Sequence, residues 1–236
     1  MNNTYYETLD ENFKEAVALV ETDHSHEELI ELLKHGNIPQ KQLAAMRLDT
    51  INTPDEFDIL LSNLTGQDGK IREAVSLRLA DFLKNPNISK YINYKDYTDI
   101  LSEAIIDING NICRNTIEAI SNLKPYTEFC KTFCAKLVSK THSLIDKIKT
   151  FDFKDGKYKV NKEVFKLYWC LEAIYTFADC IDINLTKQIL LETKNIKEYT
   201  IREKTAKILS LNFDDTELQA ARQELKEDSN YYVRRF

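Results

Sequence analysis

A short phrase recurs along this chain of 236 residues: a polar residue, two spacers, a branched apolar residue, then arginine. It reads Asp68-Gly69-Lys70-Ile71-Arg72, Glu198-Tyr199-Thr200-Ile201-Arg202 and Asn230-Tyr231-Tyr232-Val233-Arg234, with a slipped copy at Asn109-Gly110-Asn111-Ile112-Cys113-Arg114. Internal repetition of this kind belongs to stacked helix pairs, because one pair is too small to bury its own apolar face and a neighbour must cover it. Ile38, Ile71, Ile112, Ile201 and Val233 mark equivalent points, and the long interval between Ile112 and Ile201 holds one additional, enlarged pair.

Only five Gly and four Pro occur in a chain that is 43% apolar, which suits long helices joined by short turns and not a sheet-rich fold. An all-α protein is expected. The net charge of −6 gives no long-range attraction for a polyphosphate backbone, so nucleic acid is not an expected partner. No apolar run approaches the roughly 18–20 residues that span a bilayer, and Met1-Asn2-Asn3-Thr4 lacks the layout of a secretion signal. A soluble, cytoplasmic protein follows as the expectation, with Cys113, Cys130, Cys134, Cys170 and Cys180 as reduced, buried thiols.

Local signals divide the chain. Leu9, Phe13, Val17 and Val20 stand at helical spacing and predict a lead helix over the open end of a stack. Ser25 with Glu28 has the form of a capping box, and Leu29, Ile30 and Leu33 supply the stripe behind it. After Gly36 a second helix is predicted to turn Leu43, Met46 and Ile51 inward. Thr53-Pro54-Asp55-Glu56 then starts the next helix, with threonine as cap, proline in the first turn and Glu56 closing a second box. The enlarged pair is predicted as a helix from about Thr127 to Thr150, a loop or small hairpin from Phe151 to Tyr158, and a helix from about Asn161 to Asp179 that is apolar almost all round.

These units resemble the HEAT-repeat family and its armadillo-type relatives, whose helix pairs carry an aspartate in the turn and a Val-Arg or Ile-Arg pair opening the second helix. Asp68, Ile71 and Arg72 match that phrase; Ile201-Arg202 and Val233-Arg234 match at the pair, with Glu198 and Asn230 in the turn; Ile38 is followed by Pro39, and Arg114 sits one residue late. The resemblance implies one domain, a right-handed α–α superhelix of about five antiparallel pairs. Residues 1–23 would be a capping helix, 24–213 the pairs and 214–236 a partial repeat whose open end could meet another subunit. It also implies that Asp68, Arg72 and Arg202 form a structural ladder between neighbouring repeats, through guanidinium forks. Most such proteins are protein-binding scaffolds, with a minority of enzymes and nucleic-acid binders, and fold alone does not choose.

The sharper activities need constellations. Deoxyhypusine hydroxylases use recurring His-Glu pairs as iron ligands, and only His26-Glu27 fits here. Helical-repeat glycosylases acting on alkylated DNA frame the lesion with several tryptophans; this acidic chain has one Trp, with Trp169, Lys162 and Lys166 as the residues such a role would use. A bilin-lyase reading rests on fold analogy alone. Asp23, His24 and His26 have no distant partner, Cys130, Cys134 and His142 lack a second ligand pair, and Asp152, Asp155, Gly156 and Glu163 lack the alternating oxygens of a calcium loop. No catalytic residue, cofactor or metal is assigned.

A scaffold would bind through second helices, which line the concave face in this family. The candidates are Arg114 and Glu118 in the third pair and Lys166, Trp169 and Glu172 in the fourth. Trp169 has two readings, interface anchor or core aromatic.

Overall fold

The computed structural model describes residues 18–150 and 157–236, and of 157–160 only the backbone. Among the described residues every regular element is helical, and there is no strand. The helices gather into two compact units, residues 1–95 and 96–236.

The first unit holds α1 (His26–His35), α2 (Ile38–Arg47), α3 (Pro54–Ser62), α4 (Gly69–Phe82), and a short α5 (Pro86–Ser89) that runs into a 3-10 turn at Lys90–Asn93. α1 starts at the expected box: Ser25 Oγ accepts from the Glu28 N–H at 3.2 Å, and Glu28 Oε2 accepts from the Ser25 N–H at 2.8 Å. Asn37 and Gln40 repeat that arrangement at the start of α2. Thr53 caps α3, but Glu56 does not close its box. Its Oε2 takes the Asn52 N–H at 2.8 Å and lies 3.0 Å from His26 Nε2, tying the start of α3 to the start of α1.

α1 packs on α2 and α3, and α2 packs on α4, so alternate helices become neighbours. Leu33, Leu48, Phe57, Leu60, Leu61 and Leu79 are fully buried between them. Two sequence expectations fail here. Met46 is 57% exposed because Ala44 and Ala45 take the inward face of α2, and Ile51, though buried, lies beyond the end of that helix at Arg47. Val20 is also exposed, and the remaining residues of the expected lead helix, Leu9, Phe13 and Val17, lie outside the described residues.

The second unit contains α6 (Thr98–Ala104), α7 (Gly110–Ser121), α8 (Thr127–Thr150), α9 (Lys157–Thr176), α10 (Ile183–Thr193), α11 (Tyr199–Leu209), α12 (Thr216–Lys226) and α13 (Tyr231–Arg234). α9 begins at Lys157 and ends at Thr176, so Lys157 and Tyr158 belong to the helix and not to the expected loop, whose residues 151–156 lie outside the described residues. Odd and even helices form two layers. α6, α8, α10 and α12 are successive neighbours in one, α7, α9, α11 and α13 in the other, and each first helix packs on the second helix that follows it.

Both layers are cross-linked by side chains. In the first, Lys136 reaches Asp99 at 2.8 Å, Lys149 reaches Glu192 at 2.7 Å and Lys187 reaches Asp215 at 2.9 Å, one rung per helix neighbour. In the second, the recurring arginine folds back onto the turn that precedes it: Arg202 Nη1 donates to the carbonyls of Ile196 (2.9 Å) and Lys197 (2.7 Å), and Arg234 Nη1 to those of Asp228 (2.7 Å) and Ser229 (2.8 Å). Arg72 does the same to Gln67. These carbonyls sit in tight turns with no helical partner, so the guanidinium supplies donors the backbone lacks. Arg202 also forks onto Asp228 in the following turn, Nε to Oδ2 at 2.6 Å and Nη2 to Oδ1 at 3.2 Å, and this is the rung between neighbouring pairs. Asp68 instead caps its own helix by accepting from the Lys70 N–H at 2.9 Å.

Candidate binding groove

Three consecutive helices of the second layer, α7, α9 and α11, enclose an open cavity of about 380 Å³. Arg114 and Glu118 enter it from α7, four residues apart and so on one helix face. Tyr168, Trp169, Glu172 and Thr176 enter from α9, and Lys204 from α11. Four of the five residues singled out from sequence therefore meet in one place. The fifth does not: Lys166 is absent from the lining and pairs with Glu163 at 3.4 Å, one turn back on its own helix.

Trp169 is both wall and core. It is 8% exposed, edge-on to Phe165 (ring centroids 6.2 Å apart) and to Tyr168 (5.3 Å). Its ring closes over Gly110, the first residue of α7, where an added Cβ would stand 3.3 Å from Cζ2 of Trp169 and 3.7 Å from Cζ of Phe165. The glycine in the slipped copy of the repeat phrase thus admits the indole against the helix start. Nε1 of Trp169 is buried and has no acceptor among the described residues.

Glu172 is held from two sides. Lys204 bonds to its carboxylate, and Lys207 reaches Oε1 at 2.9 Å. Each ammonium also lies over an aromatic face, Lys204 4.3 Å from the ring centre of Tyr168 and Lys207 4.1 Å from that of Tyr175, which is cation–π range. Burial pushes the Glu172 carboxyl upward, but the two lysine hydrogen bonds outweigh it and hold the group below its ordinary value. For Lys204, burial pulls downward and the bonds to Glu172 and Tyr168 more than reverse it. Glu172 therefore links α9 to α11 through both lysines.

Arg114 is the contrast. It is exposed and makes no hydrogen bond or ion pair with the described residues. Sequence reasoning missed Tyr168 and Lys204. Lys204 and Lys207 stand at i,i+3 on a short helix whose other face is apolar, a pairing that marks one polar side but not what it meets.

The other candidate chemistries resolve differently. His26 is engaged by Glu56 and by Asn52 Nδ2, 3.0 Å away. Cys130, Cys134 and Cys180 share a second open groove of about 530 Å³ between α8 and the start of α10. Burial pushes the Cys130 and Cys134 thiols up to about 12, and raises Cys180 as well. No group of three or more His, Cys, Asp or Glu among the described residues is arranged to hold a metal ion, and no described helix is long and apolar enough to cross a membrane.

No protein-family model matches the chain, and no curated protein matches it. Solved structures do. One, described as an engineered protein, is 17% identical with a TM-score of 0.52 over 89% of this chain and 94% of its own. A second engineered protein is 15% identical with a TM-score of 0.44 over 89% of this chain and 97% of its own. The first likeness extends to the helical fold and carries no activity with it.

Proposed function

We propose that this chain is a non-catalytic, HEAT-like scaffold, its helix pairs stacked within each unit as solenoid repeats, and that the groove of α7, α9 and α11 receives a protein partner. The layering of alternate helices and the arginine that recurs at the same place in successive turns support the repeat reading. The observation that carries the binding reading is Arg114: an exposed guanidinium without a partner among the described residues, beside a tryptophan, in a concavity built by three consecutive second helices. Arginine and tryptophan are the side chains that most often dominate interface energetics.

The test uses the full chain as bait in extract of its native cells. Wild type should retain a protein that Arg114→Glu loses and that Lys131→Glu, an exposed change in the cysteine-lined groove, still retains. Identical retention by all three baits would refute the assignment of this groove.

A further inference from the structure

Two groups of the groove carry N–H donors without an acceptor among the described residues. Arg114 offers five N–H donors and uses none on the described residues, and the buried Nε1–H of Trp169 has no acceptor among them. Of the two carboxylates in the lining, Glu172 is already shared by Lys204 and Lys207. The lining carries two cations, Arg114 and Lys204, and two carboxylates, Glu118 and Glu172, and Lys204 is spent on Glu172. A negative group would meet the guanidinium that the described residues leave without an acceptor.

We propose that the partner presents an acidic peptide segment, with an aspartate or glutamate carboxylate on Arg114 and a neighbouring apolar side chain against Tyr168 and Trp169. This rests on the scaffold reading above and adds to it the chemistry of the occupant. A carboxylate matches the planar guanidinium in two parallel hydrogen bonds, and the aromatic wall beside it suits an apolar neighbour in the same peptide. A polyphosphate needs several cations along its run, whereas the second cation of the lining, Lys204, is already paired with Glu172 and leaves Arg114 alone to meet it.

Trp169 is the one tryptophan of the chain, so its emission reports this groove directly. The full chain is titrated with blocked peptides of alternating glutamate and leucine, glutamine and leucine, or lysine and leucine, and with a single-stranded oligonucleotide. The Glu-Leu peptide should shift the emission, bind at least about tenfold more tightly than either other peptide, weaken as salt rises, and lose about tenfold in affinity in Arg114→Gln. Equal binding of the Gln-Leu peptide, or preference for the Lys-Leu peptide, would overturn the acidic occupant and leave the groove standing as a peptide site. Silence of Trp169 toward every peptide would overturn both readings. Tighter binding of the oligonucleotide, lost in Arg114→Gln, would replace the peptide with nucleic acid.

Discussion

The rung between Arg202 and Asp228 is where the repeat phrase is most directly open to measurement. Arg202 makes four hydrogen bonds, two to the Asp228 carboxylate and two to the carbonyls of Ile196 and Lys197. Its side chain is 16% exposed and that of Asp228 10%, so neither is a freely solvated surface charge. Removing one member of a fully buried pair costs about 3–5 kcal/mol, because the other is left charged and dry. This pair retains some solvent, which places Arg202→Met near the lower end, about 3 kcal/mol. Asp228→Asn leaves a neutral acceptor for the Asn230 N–H, now 2.7 Å away, and should cost about 1.5–2 kcal/mol. The double variant should cost little more than Arg202→Met alone, giving a coupling of about 1.5–2 kcal/mol. Urea unfolding followed by the emission of Trp169, which lies in the same unit, measures all four proteins. A coupling under about 0.5 kcal/mol would class the pair with exposed ion pairs and refute the ladder as a source of stability.

The remaining predictions concern the groove, its supports and the thiols. Trp169→Ala should destabilise by about 3–5 kcal/mol, as for a truncated core aromatic; because the residue is mostly buried, its loss cannot by itself separate folding from binding, whereas exposed Arg114 can. Gly110→Val should push the indole out of register and cost about 1–3 kcal/mol, read as a shift in emission together with a lowered urea midpoint. Asp228 is held below its ordinary value, first by the Arg202 hydrogen bond, and Glu172 is held below its own by Lys204 and Lys207 against the upward push of burial. Both contributions are thus present above the unfolded carboxyl range of about 4 and are lost as pH falls through the folded values, so Arg202→Met should flatten the acid limb of a stability–pH profile. Cys113, Cys134 and Cys170, each pushed up to about 12 by burial first of all, should resist iodoacetamide at pH 8 in the native protein. Roughly one part in ten thousand of each is then thiolate, and half-buried Cys180 should be alkylated first, as peptide mapping would show.

The capping and periodic signals were legible one helix at a time. Thr127–Thr150 was predicted at its observed ends, Ser25 built its box, and Arg114, Glu118, Trp169 and Glu172 were placed together by the rule that alternate helices share a side. The failures are equally local in cause. Met46 has the right spacing to point inward, but Ala44 and Ala45 let two helices approach closely on the face beside it. Glu56 stands three residues after a threonine cap, yet His26 from another helix and the Asn52 N–H compete for its carboxylate and win. Lys166 lies on the polar side of its helix but turns to Glu163, away from the groove.

What the sequence determined alone is the helical class, the first cap of each helix that it marked and the repeated phrase. Those follow from backbone valences and the period of the helix, which any neighbour leaves unchanged. What the tertiary structure decided is which polar groups remain free. Glu172 and Arg114 look alike in a string of letters, each a charged residue on an exposed side. Only the arrival of α11, with Lys204 and Lys207 each lying over a tyrosine, occupies the glutamate, and nothing among the described residues arrives to occupy the arginine.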